Sequence, residues 1–377
     1  MKKNKKLNSE NISVLKPLLK KHWGYEKFYG FQKRVIDAVL NDRDTLSVIS
    51  TGGGKSLCYQ LPALMSEGCA VVISPLISLM HDQVSALKDM GIRADFINST
   101  ILPEERNRVW RDLTDGRLDL IYLAPERLVF ENSLRRLQSA NLKYFAIDEA
   151  HCISQWGHDF REDYLELNKI KKLFNGIAIH AFTATATPEV RKDICRHLDL
   201  VNPFIYVGDV NRKNLVYRAR PRNNIKNQVT EVLQRHSGEC GIIYCLRRKD
   251  VDNLTDYLQK SGYDALPYHA GLSDEERRYG QKRFQVGSTD IIVATIAFGM
   301  GIDRADVRFI IHAAMPKSME HYQQQAGRAG RDGDSAECIL FFSGSDYYTW
   351  KHLLADSPKK DIMLEKLNRV YNYCHNP

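Results

Sequence analysis

Thr45-Leu46-Ser47-Val48-Ile49-Ser50-Thr51-Gly52-Gly53-Gly54-Lys55-Ser56-Leu57-Cys58-Tyr59-Gln60 is the stretch on which the fold turns. It opens with a short β-branched and apolar run, passes through a loop of three consecutive glycines, and continues into Leu57 to Leu61, which can be helical until Pro62 ends or kinks it. Strand, glycine loop and helix start make a phosphate cradle. Glycines let backbone N–H groups converge, and the helix N-terminus adds positive potential. Lys55 is suited to the β- and γ-phosphates and the Ser56 hydroxyl to Mg²⁺. The strict Gly-x-x-x-x-Gly-Lys-Ser pattern is met only in part, because Ile49 occupies the first glycine position.

Outward from this unit, apolar runs recur between longer segments of helical period. The spacing predicts strands over Ala70 to Ile73, Leu120 to Leu123, Tyr144 to Ile147 and Ile177 to Phe182. A second series covers Gly241 to Cys245, Ala265 to Tyr268, Asp290 to Ala294, Arg308 to His312 and Cys338 to Phe342. Such alternation implies an α/β fold with mainly parallel sheets flanked by helices. Pro203 to Asn224 shows little helical period and reads as an interdomain connection. The expected divisions are a basic flexible tail over 1–10, a first α/β domain over 11–209, a second over 210–345, and a helical segment over 346–377.

Asp148 and Glu149 end the Tyr144 to Ile147 run, where open α/β sheets place their ligands. Asp148 suits Mg²⁺ and Glu149 an attacking water, the division of labour that phosphoryl transfer requires. Alone, such a pair is more often a helix N-cap; Lys55 and Ser56 make the catalytic reading the stronger. His151 suits a link from the γ-phosphate region to the next loop or a local hydrogen bond. Trp156, His158, Phe160 and Arg161 then crowd around Gly157. Aromatic and guanidinium faces stack on unpaired bases, although the same composition also suits a loop packed on its own domain. In the second half, Arg328 and Arg331 sit on glycine-flanked turns that can aim them at a γ-phosphate across a domain cleft.

Charge adds little. The net charge is +8, and Lys2, Lys3, Lys5 and Lys6 supply four of it, leaving +4 for the rest of the 377 residues. The longest apolar stretch, near Ala70 to Met80, is broken by Ser74, Pro75 and Ser78, so no membrane span is expected. Eight scattered cysteines without a Cys-x-x-Cys pair point to reduced, mostly buried thiols in a cytosolic protein.

From about Trp23 onward, these motifs resemble the RecQ-type DNA helicases of helicase superfamily 2. The resemblance is carried by Thr51 to Gln60, by the Asp-Glu-Ala-His box running into Cys152-Ile153-Ser154-Gln155-Trp156-Gly157-His158-Asp159-Phe160-Arg161, and by Ala297 to Asp303. It implies two tandem RecA-like domains, an ATP-binding helicase domain and a helicase C-terminal domain. It also implies use of ATP and Mg²⁺, and 3′ to 5′ unwinding of DNA in recombination or repair. By position, Tyr25 and Gln32 resemble an adenine-recognising pair, and Thr51, Gly52, Gly53, Gly54, Lys55 and Ser56 the nucleotide loop. Ser56 and Asp148 resemble the Mg²⁺ ligands; Lys55, Asp148, Glu149, Arg328 and Arg331 resemble the catalytic set. Ser74, in Ser74-Pro75-Leu76, is similar to a strand-lining motif, and Trp156, His158, Phe160 and Arg161 to a DNA-sensing loop. Thr183-Ala184-Thr185 is similar to a relay between domains.

Three positions depart from the family pattern: Tyr29 for an arginine, Gln325 for a glutamate, and Arg247 for a small residue. Cys374 resembles the first of four zinc ligands whose partners are absent, so no zinc is expected, and residues 346–377 read as the start of a truncated zinc-binding module. The resemblance implies single-stranded and tailed or forked duplex DNA as partners, no membrane, a monomer, and a place in the bacterial cytoplasm or nucleoid. Two other readings remain open: an RNA helicase with the same box, since stacking and phosphate contacts serve either strand, and a non-enzymatic nucleic-acid-binding module.

Overall fold

The computed structural model describes residues 9–65, 67–157, 159–209, 212–299, 304–355 and 360–376. The chain divides into two compact units, Met1–Val210 and Asn211–Pro377. The first helix begins at Ser9, inside the stretch expected to be a tail; residues 1–8 lie outside the described residues.

The first unit holds seven strands: β1 (Thr45–Val48), β2 (Cys69–Ile73), β3 (Ala94–Ile97), β4 (Leu120–Leu123), β5 (Leu142–Ile147), β6 (Ala178–Thr183) and β7 (Phe204–Val207). They form one parallel sheet in the order β3-β4-β2-β5-β6-β1-β7. The second unit holds β8 (Leu215–Pro221), β9 (Cys240–Tyr244), β10 (Ala265–Tyr268), β11 (Ile291–Ala294), β12 (Val307–His312) and β13 (Ala336–Phe342). These also run parallel, in the order β10-β11-β9-β12-β13-β8.

Strand periodicity explains why the interior strands read as continuous apolar runs. Val71, Ile73, Ile121, Leu123, Phe145 and Ile147 enter one core of the first unit. Their alternates Ala70, Val72, Leu120, Tyr122, Tyr144 and Ala146 enter the other. Both sheet faces are therefore covered, the usual condition of a parallel sheet. The second unit repeats the arrangement, with Ile243, Val293 and Ile311 on one face and Ile242, Ile292 and Ile310 on the other.

Three strands escaped the sequence reading. β7 and β8 both lie in the stretch expected to be a connection, where they form edges of the two sheets. Edge strands bury only part of their surface, and β8 carries Arg218 and Arg220 among half-exposed positions. Its apolar pattern is correspondingly weak. The third, β3, is the far edge of the first sheet and is buried throughout.

The helix Lys360–His375 buries Leu367, Val370 and Cys374 against Met315, Tyr322 and Leu340. Residues expected to begin a separate module thus pack on the second unit's own sheet. Cys374 is 3% exposed, and no cluster of three metal-ligating side chains occurs among the described residues. No helix among the described residues is long and apolar enough to cross a membrane.

Candidate functional site

The loop after β1 has the backbone its glycines predict. Gly52 and Gly54 each have φ +78°, and a Cβ at Gly54 would come within 2.6 Å of the Gln32 side-chain nitrogen. A Cβ at Gly53 would lie 2.7 Å from Ile49. Ile49 therefore occupies the first glycine position of the strict motif by packing against a glycine. The Lys55 ammonium donates to the Ile49 carbonyl at 3.0 Å, which folds the loop around its own lysine. Ser56 begins the turn into the helix Leu57–Gln60. Thr51 completes the loop.

Gln32 joins this loop to the helix Gly30–Leu40. Its side chain donates to the Gly54 carbonyl at 3.3 Å and accepts from the Tyr29 N–H at 2.9 Å. Gln32 is buried, whereas Tyr25 is 60% exposed, so the pair brought together by resemblance has one fixed polar member and one open ring.

β5 delivers Asp148 into the interior of the same sheet end, and it is 7% exposed. Burial first, and the neighbouring Glu149 carboxylate second, push its carboxyl up to about 7, while Lys55 acts in the opposite sense. A carboxyl in that setting is suited to a cation. The oxygen donors expected to take Mg²⁺, the Ser56 hydroxyl and the Asp148 carboxylate, are few and hard, which fits hydrated Mg²⁺. Glu149 itself adopts φ +47°, a left-handed conformation costly for a side-chain-bearing residue.

His151 is 2% exposed and its Nδ1 lies 3.3 Å from Glu149 Oε2 and 2.9 Å from Thr183 Oγ1. The Thr183 hydroxyl donates to the Thr185 carbonyl at 3.1 Å and so accepts from His151, which places the imidazole proton on Nδ1. Thr183-Ala184-Thr185 is thus wired to the carboxylate pair within one unit. Sequence reasoning missed Tyr164, whose buried hydroxyl donates to the Asp148 carbonyl at 2.9 Å.

The aromatic loop leaves this box directly. Ser154 Oγ donates to Asp193 at 2.7 Å and accepts from the Trp156 N–H at 3.2 Å. A Cβ on Gly157 would lie 2.3 Å from the His151 carbonyl, so the chain turns there only as glycine. Trp156 is 48% exposed and Phe160 is partly so. His158 lies outside the described residues. Arg161, expected to face a strand, donates instead to the Pro75 carbonyl at 2.9 Å and pairs with Asp159 at 3.3 Å. Ser74 is 1% exposed and so presents no hydroxyl at the surface. Arg161 thereby ties the aromatic loop to the Ser74-Pro75-Leu76 turn.

In the second unit, Arg328 is 5% exposed and pressed against Gly299, where a Cβ would lie 2.5 Å from its guanidinium. Arg331 remains partly exposed. The turn between them is held by Arg212, which donates to the carbonyls of Gly327 at 3.3 Å, Ala329 at 3.0 Å and Gly330. Asn214 adds bonds to Gly330 and Asp334 at 2.9 and 2.7 Å. Arg212 was one of many charges in a presumed linker, with no signal to single it out. Gln325 is buried and accepts from His312 Nε2 at 2.8 Å; burial lowers His312 to about 4, so this is a neutral pair. Residues 300–303 of the Ala297 to Asp303 segment lie outside the described residues.

Comparison with known proteins gives the same division. Residues 29–194 match the DEAD/DEAH box helicase family and residues 224–333 the helicase conserved C-terminal domain. The chain is 44% identical to the ATP-dependent DNA helicase RecQ of Bacillus subtilis (strain 168), over 95% of this chain and 61% of the relative. It is 42% identical to the RecQ of Pasteurella multocida (strain Pm70), over 94% of this chain and 56% of that protein. The chain therefore spans somewhat more than half the length of these relatives. Among solved structures, S. cerevisiae Dbp5 bound to RNA and ADP BeF3 superposes with a TM-score of 0.68 at 18% identity, covering 94% of this chain and 96% of that one, a likeness of fold. Two parallel α/β units carrying a phosphate loop, an Asp-Glu-Ala-His box and its aromatic extension are the tandem RecA-like helicase domains, and the chain belongs to the RecQ family.

Proposed function

We propose that this chain is the motor core of an ATP-dependent DNA helicase that moves 3′ to 5′ on single-stranded DNA and opens duplexes in recombination or repair. The observation that supports it most is the continuous wiring of one segment. Glu149 meets His151, His151 meets Thr183, and the same segment turns at Gly157 into an exposed tryptophan. A strand engaging Trp156 would move the backbone that fixes the carboxylates.

In this reading Lys55 and the Gly52 to Gly54 amides hold the phosphates, Tyr25 and Gln32 the adenine, and Glu149 orients and deprotonates the attacking water. Ser56 and Asp148 would hold Mg²⁺, which when bound offsets phosphate charge. Arg331 would supply positive charge to the γ-phosphate, with Arg328 holding the turn that carries it. Trp156 and Phe160, with His158, would stack on bases, while Arg161 and Ser74 position the strand path. The expected partners are single-stranded and tailed or forked duplex DNA, met by a monomer in the cytoplasm or nucleoid.

The test is ATP turnover with and without single-stranded DNA and a matched RNA. DNA stimulation exceeding RNA stimulation is expected, and Lys55→Ala should abolish turnover. Trp156→Ala should raise the DNA concentration for half-stimulation about tenfold, within the 1–3 kcal/mol of one stacked base. Turnover indifferent to DNA sinks the coupling; a larger response to RNA reassigns the substrate.

A further inference from the structure

The phosphate loop runs into a buried polar contact that the proposed chemistry leaves unused. Gln60 ends the one-turn helix Leu57–Gln60 and is 5% exposed, with the core residues Tyr59 and Leu61 on either side of it. Its side-chain nitrogen donates to Gln83 Oε1 at 2.6 Å and to the Tyr122 hydroxyl at 2.8 Å. Tyr122 is 1% exposed in β4, level with Val72 of β2. Gln83 lies on the helix Ile77–Asp89, whose buried Met80, Val84 and Leu87 hold it to the same core.

Apolar side chains of similar size fill such a space without the cost of taking amides and a phenol out of water. What the polar trio adds is direction. A satisfied buried network fixes the orientation of each member, and here it sets one helix against another segment of the chain.

Both ends of the contact lead to the site. Behind Gln60, the loop and the one-turn helix form one piece: the Lys55 carbonyl accepts from the Cys58 N–H at 2.9 Å, and the Ser56 carbonyl from the Gln60 N–H at 2.9 Å. The Lys55 ammonium rests on the Ile49 carbonyl at 3.0 Å. A phosphate, being a charged and stronger acceptor, draws that ammonium towards itself, so filling the loop gives this piece a second position. Beyond Gln83, the helix starts directly after Ser74-Pro75-Leu76, and the Leu76 carbonyl accepts from the Met80 N–H at 3.0 Å. Arg161 ties the aromatic loop to the Pro75 carbonyl of the same turn. The Gln60 contact therefore joins the phosphate loop to that turn without passing through Glu149 or His151.

We infer that Gln60 and Gln83 are positioning residues whose bond makes filling of the phosphate loop and engagement of a strand depend on one another, by setting the helix Ile77–Asp89 behind the Ser74-Pro75-Leu76 turn. Neither side chain touches nucleotide or strand in this role. The inference rests on the proposed action on a nucleic-acid strand.

Coupling between two ligands is a single factor that can be read from either side. The experiment measures the affinity of the whole chain for a labelled single-stranded DNA with and without a non-hydrolysable ATP analogue and Mg²⁺, and for the analogue with and without that DNA. In the parent the two ratios are equal and differ from one. Gln83→Met keeps the volume but removes the acceptor, and should bring both ratios towards one by about twofold or more. Gln60→Met should do the same, and the double variant no more than either, because the same bond is lost in all three. Gln83→Glu keeps an acceptor for the Gln60 amide and should keep the parent ratios. If Gln60→Met does not fold, as judged by its melting temperature, the two Gln83 variants carry the test, since Gln83 is partly exposed. Variants that melt lower but keep the parent ratios overturn the inference, because the contact then serves packing alone. So does a double variant whose loss is the product of the two single losses. A parent that binds DNA equally with and without the analogue overturns it too, and DNA-stimulated turnover in that parent leaves the helicase reading standing. A parent that binds no DNA defeats the helicase reading, and the inference falls with it.

Discussion

Asp148 is a carboxyl that folding places where its charge is least welcome. Burial and the Glu149 carboxylate raise its pKa above that of the unfolded chain, so the folded state holds a proton more tightly. The sign follows from linkage. This group favours folding at low pH, and that contribution is lost as pH rises from about 4 towards 7. A bound divalent cation reverses the penalty. Asp148→Asn should therefore stabilise the nucleotide-free protein at pH 8 by roughly 1–3 kcal/mol, the usual range for an uncompensated buried polar group, while abolishing Mg²⁺-dependent turnover. Thermal melts with and without Mg²⁺, beside turnover, check this; a destabilised variant would show that Asp148 is held by contacts rather than strained by charge. That Asp148 lies at the carboxyl end of a strand was legible from its place after an apolar run. Its burial was not, because burial is set by β2 and β6 on either side of β5.

The loop from Ser154 to Arg161 shows what an element adds to its residues. Its composition suited both stacking on bases and packing on its own domain, and the fold divides the residues between different tasks. Trp156 is open, Arg161 is spent on the Pro75 carbonyl, and Gly157 is the pivot. Since a Cβ at 157 meets two backbone carbonyls, of His151 and Ser154, a side chain there has to displace backbone rather than a flexible tip. Gly157→Ala is expected to lower DNA stimulation at least as much as Trp156→Ala, and to cost about 1–3 kcal/mol of stability as overpacking does. Turnover titrated with DNA, together with a melt, measures both; a variant with unaltered stimulation would mean that the loop relaxes without consequence. The turn at Arg328 to Arg331 follows the same logic. Glycines permit it, but Arg212, more than a hundred residues earlier, fixes it.

At the scale of the whole molecule, each unit encloses one fully buried histidine in its sheet. His180 in β6 is lowered to about 3 and His312 in β12 to about 4, both chiefly by burial. Each contributes stability that is complete above the unfolded value near 6.5 and is lost as pH falls below it. By pH 5 the loss is about 2 kcal/mol per histidine, at about 1.4 kcal/mol per pH unit. Melting temperature should fall between pH 6.5 and pH 5, and His180→Leu with His312→Leu should flatten that fall; an equally steep variant would assign acid lability to other groups. Periodicity, glycine placement and the carboxylate pair determined by themselves that this chain makes two parallel α/β units with a phosphate loop, because those signals are local and span one strand or turn. Only tertiary structure decided that Pro203 to Asn224 supplies two sheet edges, that Ser74 is buried and Arg161 is bonded to the Pro75 carbonyl, and that Arg106, Arg127 and Arg136 share a cavity. Those outcomes depend on residues brought together from separate strands and helices, and a long flexible arginine carries no mark in the sequence of which neighbour it will meet.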